Sequence, residues 1–254
     1  MIKIKEFGRV IAVVLLQDMR TRFGSSYLSY LVAIGWPLAH ITLLMGIFIF
    51  RTAVAPIGDS PSIFILTGLA PFICILYPTR FIGMAFIQNR QLLNIPAIRP
   101  MHLVISRCVL ESMNSLIVLA IVFFGMTVVD IDVIPADTIE VAAAIGAAMF
   151  LGVGFGCFNI ILNAIVGPFV AVGFILFVTF LYIFSGVYIP ASTLPENYRE
   201  YMAYNPLFHL VEWLRSAYFL SYDSDGVNKP LIFMVAGVLT LIGLAGERFI
   251  RGKI

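Results

Sequence analysis

Six stretches of this sequence, residues 30–50, 63–86, 103–129, 139–166, 169–189 and 231–249, are each apolar over about twenty residues or more. A bilayer core is about 30 Å thick, and a helix needs about 20 apolar residues to cross it. Lipid offers a bare backbone no hydrogen-bond partner, so only helices and closed barrels span. Barrel strands would alternate apolar and polar positions over about ten residues, and these runs are too long and too uniform for that. Charged residues make up 12% of the chain, against about 25% in a soluble domain. The reading is an all-α integral membrane protein of six transmembrane helices, a single domain over residues 1–254 with no room for a soluble one.

Basic residues set orientation, because short cytoplasmic loops keep Lys and Arg. With the N-terminus inside, 12 of the 16 basic residues lie inside, and only Arg51, Arg199, Arg215 and Lys229 lie outside. Asp130, Asp132, Asp137 and Glu140 cluster in an outer loop, whose ordinary role is a solvated connection. Both termini are then cytoplasmic, as an even number of spans requires. Cys74, Cys108 and Cys157 are odd in number and lie within apolar runs, which argues for packing rather than disulfides. No metal-ligand spacing is present, and no nucleic-acid partner is expected.

Before the first span, Phe7, Val10, Ile11, Val14 and Leu15 share a helical face opposite Lys5, Glu6, Arg9 and Gln17. This predicts an amphipathic helix on the cytoplasmic surface, within residues 1–24. Arg20, Arg22, Tyr27, Tyr30 and Trp36 then mark the inner interface, where aromatic anchors are common. His40 lies deeper, facing either a polar cavity or a partner on a neighbouring helix. Pro71 and Pro78 predict broken hydrogen bonding in the second span, as in helices that line transport paths. Arg107 and Glu111 are one helical turn apart and form a plausible ion pair. Gly152 and Gly156 form a small-residue step for close helix contact. Phe177, Phe180, Phe184 and Tyr188 share one face of the fifth span, as core, lipid-facing surface or a sliding surface for sugar rings.

Residues 190–229 form a long outer segment. Two short helices are expected there, over 195–204 and 206–220, the second capped by Asn205 with Pro206 at its first position. His209, Glu212 and Arg215 fall off its apolar stripe, so this helix is expected to dip into or lie on the outer surface as a lid or gate.

Between the second and third spans lies a basic island, residues 88–107, with Arg90, Arg99 and Arg107 and no acid. It reads as a cytoplasmic docking element or as a plain positive-inside loop. The chain has no phosphate-binding loop, since none of Lys3, Lys5, Lys229 and Lys253 closes one. It also has no carboxylate at mid-span, which disfavours proton coupling. Energy must come from elsewhere, and no catalytic constellation stands within the spans.

Several stretches in order resemble one family. They are Asp18-Met19-Arg20-Thr21-Arg22-Phe23-Gly24 with Tyr27-Leu28, then Pro37-Leu38-Ala39-His40, then Thr67-Gly68-Leu69-Ala70-Pro71-Phe72. Residues 89–100 follow with Arg107 and Glu111, and last comes Asn205-Pro206-Leu207-Phe208-His209-Leu210-Val211-Glu212. They resemble the KpsM family, the type-2 permease subunits of ABC exporters for capsular polysaccharide, close to O-antigen exporter permeases. The resemblance runs nearly end to end. It implies a transmembrane permease, not an enzyme, that moves lipid-linked acidic polysaccharide across the bacterial inner membrane. It implies a homodimer enclosing the conduit and two copies of a separate ATPase subunit that carry ATP and Mg, with no cofactor in this chain. Periplasmic and outer-membrane export proteins would be further partners. Residues 88–102 would be the coupling loop, with Gln88, Asn89, Arg90, Leu92, Leu93, Asn94, Pro96 and Arg99 meeting the ATPase. Arg20, Arg22, Tyr27, Tyr30, Trp36, His40, Arg107, Glu111, Phe177, Phe180, Phe184 and Tyr188 would line the substrate path. Asn205, Pro206, His209, Glu212 and Arg215 would belong to the periplasmic gate. The alternatives are the same architecture carrying O-antigen, teichoic acid, a lipid or a drug, or a membrane enzyme of lipid-linked sugar metabolism.

Overall fold

In the computed structural model of the chain, residues 2–23, 27–51, 54–222, 224 and 226–250 are described, without side chains at 2–5, 21–23, 27–30, 33 and 247–250. Among the described residues there is no strand. The helices are α1 Ile2–Phe23, α2 Tyr27–Arg51, α3 Pro61–Gly83, α4 Ala85–Gln88, α5 Pro100–Val128, α6 Thr138–Ile165, α7 Pro168–Ile183, α8 Glu196–Met202, α9 Pro206–Tyr218 and α10 Lys229–Ile250. Segments of α2, α3, α5, α6 and α10 are long and apolar enough to cross a membrane.

The fifth run departs from expectation. It is apolar through Ile189, yet α7 ends at Ile183 after 16 residues. The chain turns at Gly186, whose φ of 75° suits a residue without Cβ. The carbonyls that this early stop leaves open are taken by side chains from α9.

Helix α3 is the centre of the fold, with almost every side chain from Ile63 to Thr79 buried. Pro71 and Pro78 do not interrupt it. Proline removes a backbone donor and so frees the carbonyl four residues back; for Pro78 that carbonyl belongs to Cys74. Gly152 of α6 stands against it: a Cβ there would lie 2.4 Å from the Cys74 oxygen. The missing side chain lets the two backbones meet and the freed carbonyl face a Cα–H. Gly156 meets Ile82 in the same way, so the expected small-residue step packs on α3. On another side of α6, Gly154 lies against the Ala236 backbone of α10, and Gly243 of α10 lies against Cys157. α6 is therefore sandwiched between α3 and α10, whose close approach is the main source of association between apolar helices in lipid.

A methyl group at position 152 has no flexible side chain to displace, only backbone. We expect Gly152→Ala to cost about 1–3 kcal/mol by overpacking, seen as a lower Tm of the purified protein. Gly146→Ala, with nothing within 4 Å, should leave the Tm unchanged.

Candidate functional site

Two polar clusters mark the ends of the bundle. The first lies where the basic island leaves α3. Asn159 and Asn163 of α6 donate to the Thr79 and Gly83 carbonyls at 3.3 and 3.1 Å, fixing the last turn of α3. The chain then forms the single turn α4, a 3-10 turn over Leu92–Asn94, and enters α5 at Pro100. The island is thus two short turns rather than one continuous coupling helix. Leu92, Leu93 and Ile98 pack on a small core with Val14, Ile82, Phe86 and Leu103. Arg90, Asn94, Ile95, Pro96 and Arg99 are exposed. The Arg99 backbone N–H donates to His102 Nδ1 at 3.0 Å, closing the start of α5.

Arg107 holds the root of this turn. Its guanidinium is buried, with Nε 2.7 Å from Asp18 Oδ2 of α1 and Nη1 3.9 Å from Glu111. Its Nη2 donates to Gln88 Oε1 at 2.7 Å. Asn89, also buried, donates to Asp18 Oδ1 at 3.0 Å. One ion pair therefore ties α1, the turn after α3 and the first turns of α5. Ser106 of α5 adds a bond to the Ile11 carbonyl at 3.2 Å, and Phe7 packs against the His102 ring. The Arg107–Glu111 pair expected from spacing is present, but Asp18 is the nearer partner. Asp18 was not among the expected site residues. Its signal was its position one turn after Val14, an acid continuing the buried face of α1.

The second cluster surrounds α9. Expected to dip into or lie on the outer surface, this helix takes the first course and is buried on nearly all sides, with Arg215 at 0% exposure. Each polar group that the sequence placed off the apolar stripe has a partner far away in the chain. Arg215 donates to the Gly186 and Val187 carbonyls at 2.7 and 2.6 Å, lies 4.3 Å from the Phe64 ring centre, and sits 3.7 Å from Glu212. Glu212 accepts the Tyr222 hydroxyl at 2.6 Å. Burial pushes the Glu212 carboxyl above its ordinary value, against the opposing pull of Tyr222 and Arg215. Asn205 caps α9 by accepting from the Leu207 N–H, and its amide donates to the Leu181 and Phe184 carbonyls that end α7. Pro206 opens α9 as the sequence predicts. In the acidic loop, Asp137 caps α6, and Glu140 binds Lys229 and Trp213, so these two carboxylates have structural work.

His209 donates from Nε2 to the Ala203 carbonyl at 2.8 Å and accepts the Asn228 N–H on Nδ1 at 3.2 Å, a pair of roles that only the neutral ring fills. Burial lowers its pKa below the ordinary 6.5, opposed by the Ala203 bond. A base whose folded value lies below its unfolded one contributes stability that is present above the unfolded pKa and lost as pH falls through the folded one. We expect the Tm of the wild-type protein to drop as pH is lowered from neutral to about 5, and His209→Gln to flatten that part of the profile. An unchanged slope in the variant would assign the acid sensitivity elsewhere.

The remaining expected path residues are spread along the bundle. His40 Nδ1 shares a hydrogen with the Tyr77 hydroxyl at 3.1 Å, the neighbouring-helix alternative. Trp36, Phe177, Phe180 and Phe184 are exposed, and Phe180 and Phe184 have ring centres 4.5 Å apart. Tyr188 bonds Tyr182 through their hydroxyls at 3.1 Å. Arg20 is exposed at the end of α1. The side chains of Arg22, Tyr27 and Tyr30 lie outside the described residues. The structure does not bring the expected path into one pocket. It separates Arg107 and Glu111, enclosed at the root of the basic turn, from the exposed aromatic face of α7.

No protein-family model matches the chain. Among curated proteins, it is 30% identical to a polysialic acid transport protein KpsM of Escherichia coli over 91% of this chain and 89% of the relative. A second Escherichia coli KpsM gives the same identity and coverage over 233 residues. The capsule polysaccharide export inner-membrane protein CtrC of Neisseria meningitidis is 24% identical over 96% of this chain and 92% of the relative. At 30% identity over 91% of its length, the chain belongs to the KpsM family of transport proteins.

Proposed function

We propose that this chain is the transmembrane subunit of an ATP-driven exporter that moves a lipid-linked acidic polysaccharide across the bacterial inner membrane. Two copies form the conduit, and two copies of a separate ATPase bind at the end carrying the basic island. That end is cytoplasmic, as the distribution of basic residues requires, and both chain termini lie with it. α1 lies at that membrane surface and braces the island. α8 and α9 are periplasmic, where the export proteins of the outer envelope are met.

The observation that carries the reading is the exposed turn from Arg90 to Arg99, rooted through Gln88 and Asn89 in the buried Asp18–Arg107 pair. A merely connecting loop has no need of such a root. A docking element needs it, because a push is transmitted only through a rigid mount. Leu92 and Leu93 serve as the mount and Arg90, Asn94, Pro96 and Arg99 as the contact. The exposed rings of α7 supply a face on which sugar rings slide without sequence selection.

Reversing the exposed charges, Arg90→Glu with Arg99→Glu, should weaken ATPase binding at least about tenfold and abolish export while the Tm stays unchanged. Binding and export at wild-type levels would refute the docking role. The wider reading is tested by deleting the gene in its host: full-length polymer should accumulate inside the cell. Unchanged surface glycan would show that the cargo is something else, and absence of polymer would favour a biosynthetic role.

A further inference from the structure

Three basic side chains of the bundle are occupied: Arg107 by Asp18, Arg215 by two carbonyls and Glu212, and Lys229 by Glu140. Arg80 is different. It stands in the last turn of α3, exposed, with no acidic partner among the described residues. Its nearest described ring is Phe81, 5.8 Å from the guanidinium carbon. A cation at the end of a spanning helix with no counter-charge is free to reach the interface or to meet an anionic ligand.

Arg80 lines a groove of about 450 Å³ between α2, α3 and α7, together with Trp36, His40, Tyr77, Ile175 and Thr179. The indole of Trp36 is 68% exposed. With His40 Nδ1 taken by Tyr77, Nε2 is the polar atom the imidazole has left for a ligand. The Thr179 hydroxyl gives its proton to the Ile175 carbonyl at 3.0 Å and keeps its lone pairs as acceptors. The donor set is therefore one fixed cation, a flat aromatic face, and separate polar atoms that suit hydroxyls. A bare phosphate would use only the cation. A sugar ring bearing an anion uses all three, stacking its apolar face on indole while the anion meets guanidinium.

We infer that this groove is a binding site for an anionic sugar of the carried glycan, with its carboxylate or phosphate on Arg80, its ring face on Trp36, and its hydroxyls on His40 and Thr179. The inference rests on the reading of the chain as a glycan exporter and gives Arg80 a place in the substrate path, where Arg107 is already occupied by Asp18. An anionic phospholipid headgroup carries the same charge and is the competing source.

The test places p-benzoylphenylalanine at Ala39, which lines the groove without offering a polar side chain, in the full complex in its host's own membrane. Irradiation should give a polydisperse, sugar-bearing adduct. Arg80→Gln should cut its yield about tenfold, and Arg80→Lys should restore part of it. Both variants keep the ATPase bound, because Arg80 is exposed. A discrete adduct of one phospholipid mass, in place of the sugar-bearing one, would overturn the inference in favour of a lipid site. A sugar-bearing adduct indifferent to Arg80→Gln would overturn the role of Arg80. Failure of the exporter reading has its own readout, an unchanged surface glycan in the deletion strain.

Discussion

Asp18→Leu is expected to be the most damaging single change at the basic end. It leaves the Arg107 guanidinium buried, with Glu111 at 3.9 Å as its remaining carboxylate and Gln88 as its neutral partner. Breaking a buried pair by removing one member costs about 3–5 kcal/mol, because the other charge stays in the interior. The expected readings are a large fall in Tm and faster tryptic cleavage at Arg20, as α1 comes away from α5. The double variant Asp18→Leu with Arg107→Met separates stability from transmission. Replacing a buried pair by apolar side chains of similar size is often neutral, so the Tm should return close to wild type. Export should not return, because Gln88 and Asn89 no longer have a common anchor. If export recovers along with the Tm, the pair serves packing alone.

At the other end, Arg215→Met is expected to be comparably severe. It strips donors from the Gly186 and Val187 carbonyls and leaves the Glu212 carboxyl without its cation. Each buried acceptor left open costs about 1–3 kcal/mol, and more when a charge is stranded. The loss of folded protein should be large, and Arg215→Lys should rescue only part of it, since an ammonium cannot span two carbonyls as a planar fork does. Adding Glu212→Gln to Arg215→Met should recover some stability by removing the stranded charge. Full stability of Arg215→Met would mean that the α7–α9 junction is held by apolar packing.

The difference between what the sequence announces and what it hides follows from distance along the chain. Apolar runs, the Asn205–Pro206 start of α9, the Gly152 step and the Arg107–Glu111 pair are all local patterns, with periods of one to four residues. The structure bears out these patterns and five of the six runs, while the fifth run's helix stops at Ile183. The errors came where a polar group finds its partner far away. His209, Glu212 and Arg215 looked like the wet face of a surface helix because Asn228, Tyr222 and the Gly186–Val187 carbonyls are not neighbours in sequence. Asp18 carried no expected role in the site because Arg107 is 89 positions later. Pro78 looked like a break because hydropathy does not show that α6 supplies a glycine where its carbonyl is freed. Arg80 had no local pattern to mark it, because its distinction is the lack of an acidic partner among the described residues.

The early end of α7 has a consequence for the bilayer itself. At 1.5 Å per residue its 16 residues measure about 24 Å, against a hydrocarbon core of about 30 Å. The five longer helices match or exceed that thickness, and this one does not. Under the proposed six-span topology, lipids beside α7 would shorten or tilt to meet it, at a cost of fractions of a kcal/mol for each ångström of mismatch. The annulus around the protein would then be uneven, thinnest along one seam. That seam runs past the exposed rings of α7, so a lipid-terminated chain in the membrane would meet its least resistance to moving a headgroup there.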